Sequence, residues 1–433
     1  MPRVVVVGGG WAGCAAALAA LRAGAEAILL ERADTLLGTG QVGGIMRNNG
    51  RFTATEELIA MGAGDLFRLT DRNARHEGIS FPGHEHASLY DVGLMEPMVR
   101  RYLLEEGVEI WTISRVKAVE RAGDTLKSVA LDNGEVIEGD VFVDATGSLG
   151  PASNCSKYGN GCSMCVTRCT SFGGRISVTL KAGIPEKAGR RPDGQLGAMS
   201  GSCKLHKGSL ARWVQEQLDR AGVAILPVPK DLAEQKMHHL SVKCCQQYAL
   251  PEFAENLILL DTGHAKLMTS FFPIDDLRRV PGLENARYED PYAGGKGNSI
   301  RYLALAPRDD ALRVRGIDNL FCAGEKAGTL VGHTEAICTG TLAGHNAARQ
   351  AYRNPLLTLP QTTAIGDIIH QSGEATESEK GLEQKFTFSG SDYFERMKSL
   401  GLYTIRVPEI RARIRSAGLT GVFATPLHEG AYA

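Results

Sequence analysis

The sequence predicts an α/β protein whose main unit is a Rossmann-like, dinucleotide-binding sheet, with a second α+β unit inserted into it and a helical segment after it. Three observations predict this. Residues 4–31 read strand, glycine turn, helix, strand. A short apolar strand, a glycine run and a small-residue helix follow one another across residues 320–351. Between these stretches the composition shifts, with four cysteines in 155–169 and mixed strand-like and helix-like patches up to 250.

Residues 4–7 are β-branched and apolar, as a buried parallel strand requires. Residues 12–23 are rich in Ala and Leu, both strong helix formers, and Gly24 stops the helix. Residues 27–31 form the next strand. Residues 38–90 read as loop-rich. Residues 91–106 read as an amphipathic helix closed by Gly107, and 108–112, 126–131 and 135–145 as three strands separated by turn residues. Further on, 210–221 reads as a helix, 257–260 and 320–323 as short buried strands, and 334–351 as a helix of small residues. The last sixty or so residues look helical and polar.

The length of 433 residues suggests two to three domains. The pattern divides them into a discontinuous main domain (1–150 and 255–360), an inserted Cys-rich unit (151–254) and a C-terminal helical segment (361–433). The 48 basic and 49 acidic residues leave a formal charge of −1, so no overall charge draws the chain to nucleic acid or a membrane surface. No apolar run reaches the ~18 residues of a membrane span, and the first residues lack the basic region and cleavage site of a signal peptide. The expectation is a cytoplasmic protein with no membrane partner. In a reducing compartment its ten cysteines serve as ligands, redox groups or packing, not as a disulfide framework.

Glycine is 51 of 433 residues, well above the usual ~7%, and it falls in clusters at 8–10, 43–44, 173–174, 294–297 and 324–332. A backbone that repeatedly approaches a ligand uses glycine in this way. The first cluster, Gly8-Gly9-Gly10-Trp11-Ala12-Gly13, is a G-x-G-x-x-G turn between a strand and a helix, and Glu31 stands at the end of the following strand. Gly8 makes the tight turn, Gly10 admits a diphosphate, Gly13 lets the helix pack, and Glu31 accepts from the ribose hydroxyls. The last cluster, which opens at Ala323-Gly324-Glu325, ends a strand and leads through Gly328 and Gly332 into a helix. Val143-Asp144-Ala145-Thr146-Gly147 ends another. Three such segments in this order select FAD over a nicotinamide cofactor, in a glutathione-reductase-like fold of two-dinucleotide-binding-domain type. The expected FAD contacts are Gly8, Gly10, Trp11, Ala12, Gly13, Glu31, Arg32, Gly43, Gly44, Val116, Ala145, Thr146, Gly147, Gly324, Glu325 and Gly332.

Cys155, Cys162, Cys165 and Cys169 are spaced C-x6-C-x2-C-x3-C among glycines. Four thiolates from one tight loop suit a [4Fe-4S] cluster. Zinc, a Cys162/Cys165 dithiol and simple packing are the alternatives. Cys14, Cys322 and Cys338 read as packing. His84-Glu85-His86 is a weak metal pattern that reads better as a polar loop. His238-His239 has the same status, and Cys244-Cys245 reads as an ordinary buried pair. His333 and Glu335 flank the start of the helix expected to face the flavin and are the candidates for proton transfer, with Lys296, in a glycine loop, as a cation for the flavin or an anionic substrate.

With these residues in place, the chain resembles the GidA/TrmFO branch of FAD-dependent oxidoreductases. The resemblance rests on PGLENA at 281–286, LFCAGEKAGTLVGHTEAICTGTLAGHNAAR at 320–349 and PLLTLPQTTAIGDIIH at 355–370. It implies FAD binding and modification of tRNA uridines. Three departures stand beside it: the helical extension of the longer members has no counterpart here, residues 38–44 carry no cysteine, and Glu325 stands where the branch has Gln. The expected function is therefore an FAD-dependent oxidoreductase whose iron–sulfur cluster passes electrons between a ferredoxin-like carrier and a small-molecule or thiol/disulfide substrate. The alternatives are an FAD-dependent tRNA-uridine-modifying enzyme with a structural four-cysteine loop and a non-catalytic flavoprotein subunit. A homodimer is compatible with each.

Overall fold

In the computed structural model, residues 1–147, 168–191, 194, 196, 198–200, 202–237, 240, 248, 250–269, 272–289, 299–301 and 303–427 are described. The main sheet is parallel throughout. Its order is Leu320–Cys322, Val141–Asp144, β1 (Arg3–Val7), β2 (Glu26–Leu30), Glu109–Trp111. Residues 4–7 of β1 are buried, which explains why the strand reads as a continuous apolar run without alternation. Helix α1 (Trp11–Arg22) crosses from β1 to β2. It packs against the His333–Ala351 helix with almost no side chain between them. A Cβ on Gly340 would fall 2.1 Å from Ala12 O, and one on Gly344 would fall 2.0 Å from Ala16 O. The small residues of both helices exist for this approach.

The stretch 135–145 is two strands, not one. Val136–Glu138 joins an antiparallel sheet with Val116–Ala122 and Thr125–Leu131, while Val141–Asp144 enters the main sheet. The chain changes sheets at Gly139, where a Cβ would meet Val5 at 2.7 Å, and Asp140 fixes the crossing through Arg3. Val116–Ala122 escaped the pattern because most of its residues are exposed and several are charged. Residues 38–90 are likewise more ordered than their composition suggests. They form helices Gly50–Ala60 and Asp65–Arg72 and the hairpin Ala74–Phe81/His84–Tyr90. The first of these helices buries polar residues, Arg51, Thr53, Thr55, Glu56 and Glu57, and so shows no apolar stripe.

A second, antiparallel sheet runs Cys203–Leu205, Ala265–Leu267, Asn256–Asp261, Val223–Pro227, with helix Arg212–Ala221 covering it through Val214 and Leu218. Its core continues to Leu283 and Tyr288. Residues 256–267 and 272–288 therefore pack with the second unit, beyond the expected boundary at 254, because the strands Asn256–Asp261 and Ala265–Leu267 pair there and not with the main sheet.

The C-terminal segment is helical, as expected, with Ala364–Ala375, Ser391–Ser399 and Val407–Ser416. It is tied to the Gly50–Ala60 helix through Glu57, which is fully buried and accepts from Ala364 N, Ile365 N and Arg413. Among the described residues no helix is long and apolar enough to cross a membrane.

Candidate cofactor site

A cleft opens along the carboxyl ends of the main-sheet strands. One end is built by the glycine turn. Gly8 has φ +106° and a Cβ on it would strike Ala145 O at 2.4 Å. A Cβ on Gly13 would fall 1.7 Å from Gly8 O, so Gly13 holds α1 against the turn. Gly10 is different: a Cβ there would meet nothing within 4 Å. Its space opens on the cleft at the N-terminus of α1, whose first turn carries no acidic residue. Free amides and an open cradle suit a diphosphate. Glu31 completes this end. Its Oε2 accepts from Gly9 N at 2.7 Å and its Oε1 from Ala33 N at 2.8 Å, which fixes the carboxylate on the cleft wall. These features fit the adenosine and diphosphate half of FAD.

Asp144 sets the adjoining wall. Fully buried, it accepts from Thr146 N (3.2 Å) and Oγ1 (2.6 Å) with one oxygen, and from Thr179 N and Oγ1 (both 2.8 Å) with the other. Its carbonyl accepts from Ala323 N (3.0 Å), which brings Ala323–Glu325 alongside Ala145–Gly147. Residues 168–176 lie across the adenosine end. Arg32 donates to Gly173 O and Arg115 to Gly174 O, each at 2.8 Å, and Arg168 pairs with Asp34.

The far end is made by side chains from separate elements. Gly332 and His333 begin the long helix, beside Trp11 and the turn Gly38–Val42. Two lysines of the second sheet hold that turn by its carbonyls: Lys204 donates to Gln41 O at 3.1 Å, and Lys266 to Val42 O, Gly43 O (2.7 Å) and Ser202 Oγ (2.8 Å). Burial pulls the Lys204 ammonium below its usual range. Behind the wall, Glu335 Oε1 accepts from Phe388 N and Thr387 Oγ1 (2.8 Å each) and faces Arg51 Nε at 3.3 Å.

Of the sequence-derived contacts, Gly8, Gly10, Trp11, Ala12, Glu31, Arg32, Val116, Ala145, Thr146, Gly147, Gly324, Glu325 and Gly332 line the cleft, as does His333. Gly13, Gly43 and Gly44 stand behind it: Gly13 packs on the turn, Gly43 on His333 and Gly44 on Thr262. Glu335 is also set back, because Arg51, Thr387 and Phe388 occupy it. Lys296, Cys155, Cys162, Cys165, His238, His239, Cys244 and Cys245 lie outside the described residues. Cys169 is partly buried, and among the described residues no group of three His, Cys, Asp or Glu could hold a metal.

His84 is buried between Phe81 and Tyr248. Burial pulls its imidazole down to about 3, and Nδ1 meets Asn48 Nδ2 at 2.8 Å, an arrangement of a neutral packing residue. Burial also pushes the Cys322 thiol up to about 12 and raises those of Cys14 and Cys338 well above the usual thiol range, which suits packing. The sequence reading missed Gln41, Ser114, Arg115, Arg168 and Arg175 on the cleft wall. The glycines at 38 and 40 were a signal for Gln41. The arginines had none, since only the fold brings them there.

The fold and cleft define a flavoprotein of the FAD-dependent oxidoreductase type. Residues 3–152 match the family model "FAD dependent oxidoreductase" and residues 261–355 the model "Glucose inhibited division protein A". Within that class the chain is GidA/TrmFO-like. A segment of 94 residues is 38% identical to the methylenetetrahydrofolate–tRNA-(uracil-5-)-methyltransferases TrmFO of Dinoroseobacter shibae and Streptococcus pyogenes, covering 22% and 21% of this chain. The match spans only a fifth (20%) of each relative's length. Two crystal forms of Aquifex aeolicus GidA share the fold, with TM-scores of 0.69 and 0.67 at 18% and 17% identity, covering 96% and 98% of this chain and 74% and 78% of that one.

Proposed function

We propose that the chain is an FAD-dependent oxidoreductase that acts on a uracil base of tRNA. The observation that carries the reading is where the GidA-like match falls. Residues 261–355 contain one side of the far end of the cleft, from Gly324 and Glu325 to His333, together with Lys266, which fastens the facing turn. The resemblance thus lies on residues that would shape the reacting end, beyond the nucleotide fold common to many flavoproteins. The TrmFO relatives carry tRNA and uracil in their name, and this supports the substrate class.

The residues divide the work. Gly10 and the α1 amides receive the diphosphate, and Glu31 receives the ribose hydroxyls. Bound FAD supplies electron transfer in one- or two-electron steps. Gly332 and the helix behind it direct a positive dipole end at the ring region, favouring negative charge there. His333 offers a proton-bearing group beside Trp11, and Lys296 a cation for the substrate. A homodimer and a cytoplasmic location are compatible with the reading.

The test uses the purified full chain. Absorbance should give one flavin per chain, and bulk tRNA should bind with an affinity that falls steeply as salt rises. Flavin without tRNA binding at low salt overturns the substrate and leaves the cofactor.

A second reading, the [4Fe-4S] cluster on Cys155, Cys162, Cys165 and Cys169 fed by a ferredoxin-like carrier, is favoured by one observation. Gly147 and Arg168, the described residues on either side of 148–167, both line the cleft. About four iron and four sulfide per flavin in anaerobically purified protein would support it, and none would exclude it.

A further inference from the structure

The turn Gly38–Val42 carries one side chain that is tied down at every polar atom but one. The main-chain carbonyl of Gln41 accepts from Lys204 at 3.1 Å. Its amide nitrogen donates to Leu36 O at 2.7 Å and to Thr35 Oγ1 at 2.9 Å. A backbone carbonyl can only accept, so the atom facing Leu36 O is the nitrogen, and the orientation of the amide is settled. Both amide hydrogens are then in use. The amide oxygen, Oε1, takes no donor among the described residues, and Gln41 lines the cleft. Gly40 lets the turn lie on the Trp11 ring, where a Cβ would fall 2.5 Å from Cδ1, and so brings Gln41 against the first turn of α1.

Thr35 is its complement. Its Oγ1 accepts from Gln41 Nε2 and from Arg168 Nη2, the latter at 3.1 Å. A guanidinium can only donate, so both lone pairs of the hydroxyl are taken and its hydrogen is left to give. Thr35 also lines the cleft. An acceptor therefore stands next to a donor. A phosphate offers only acceptors and an ammonium only donors, whereas an alcohol offers both. The place narrows the choice further. Leu37 bridges to Gly10 beside the diphosphate seat, and Leu37 N donates to Gly9 O at 2.7 Å. Just past the turn, Gly43 packs on His333. Gln41 stands between these two points, and the adenosine ribose already has Glu31.

We infer that Gln41 is a cofactor-binding residue whose Oε1 accepts a hydrogen bond from a hydroxyl of the ribityl chain of FAD, with the Thr35 hydroxyl as the donor beside it. This deepens the flavin reading and rests on it. The three bonds to Lys204, Leu36 and Thr35 hold the amide in place before any ligand arrives, so little side-chain freedom is lost on binding. The contact selects for the polyol between the diphosphate and the ring, a part of the cofactor that ADP lacks.

The experiment is a binding cycle on the full chain, stripped of flavin and titrated with FAD, with FAD analogues lacking the 2′-, 3′- or 4′-hydroxyl of the ribityl chain, and with ADP. The unaltered chain should bind one of these analogues about three- to tenfold more weakly than FAD, the worth of one neutral hydrogen bond. Gln41→Met removes the acceptor. It should bind FAD weaker by that same factor, bind that analogue as well as it binds FAD, and bind ADP within about twofold of the unaltered chain. Discrimination against the analogue that survives in Gln41→Met overturns the inference. So does an unaltered chain indifferent to all three deletions, and so does a loss of ADP affinity equal to that for FAD, which would put the contact on the adenosine ribose. If Gln41→Met does not fold, Gln41→Lys, which keeps donors for Leu36 and Thr35 but offers no acceptor, must erase the discrimination in its place. The flavin reading fails in a different way: an unaltered chain that binds ADP but neither FAD nor any analogue refutes it, and this inference with it.

Discussion

The two ends of the cleft are built on different principles. The floor of the adenosine end is made almost wholly of backbone: the glycine turn, the first amides of α1 and one carboxylate, Glu31, all within the first 31 residues, with residues 168–176 lying across it. The far end is made of side chains from remote elements, with Trp11 from α1, Tyr90 from a hairpin, His333 from the last long helix and two lysines from the second sheet fastening the turn between them. A backbone site tolerates change in its surroundings but not at its glycines. A side-chain site depends on each of the elements that carry it.

The largest effect should come from breaking the backbone end. Gly13→Val would drive a side chain into Gly8 O. The expected outcome is a loss of at least about 3 kcal/mol of stability and protein that purifies without flavin, read from the urea midpoint and the absorbance ratio.

Next comes the latch of the far end. Lys266→Met leaves the Val42 and Gly43 carbonyls without their charged donor, at a cost of about 2–3 kcal/mol. ADP should still bind, since Glu31 and Gly10 are untouched, while FAD affinity falls. Equal losses for both ligands in calorimetric titration would erase the distinction between the two ends.

Gly43→Ala should be milder, about 1–2 kcal/mol. FAD should stay bound with a changed visible spectrum, because the ring of His333 moves while the cradle remains.

The link between the units can be read by pH. Burial raises the Asp261 carboxyl, but the His76 hydrogen bond and the charges of Lys207 and Arg75 outweigh it and hold the group below its usual range. Its folded value being depressed, the stability it contributes is present above the unfolded carboxylate value of ~3.9 and is lost as pH falls through the folded value. Denaturation curves of the unaltered chain and Asp261→Asn should therefore differ at pH 6 and converge as the pH drops below about 4.

The smallest effect belongs to the exposed pair Arg212–Glu216, far from either end. Arg212→Ala should change stability by less than about 0.5 kcal/mol.

The same contrast explains what could be read from the residues alone. The turn Gly8–Gly13 and Glu31 announce themselves because their spacing is local and each glycine has a steric reason. Gly324 and Gly332 are visible for the same cause. Arg168 and Arg175 are not, because their place on the wall arises from contacts with Asp34 and Gly147 more than a hundred and with fewer than thirty intervening residues respectively. Glu335 shows the converse. Its position near the helix start suggests proton transfer, but its oxygen Oε1 is committed to Thr387 and Phe388, over fifty residues on, which no local pattern reveals. The helix Gly50–Ala60 was invisible because it buries charges, and Glu57 needs Arg413 and two backbone amides from the C-terminal segment to make that burial tolerable.

The strand order of the main sheet has a consequence for how the protein is made. Val141–Asp144 pairs on its outer side with Leu320–Cys322, which leaves the ribosome 178 residues after Asp144. At about 5–20 residues per second, the nascent sheet waits roughly 10–40 s with one edge open. The wall bearing Gly324 and His333 arrives only after that interval. The nucleotide half of the cleft can thus form early in synthesis, while capture of the whole cofactor must follow late. Flavin supply and translation speed would then set how long an unpaired strand is exposed to other nascent chains.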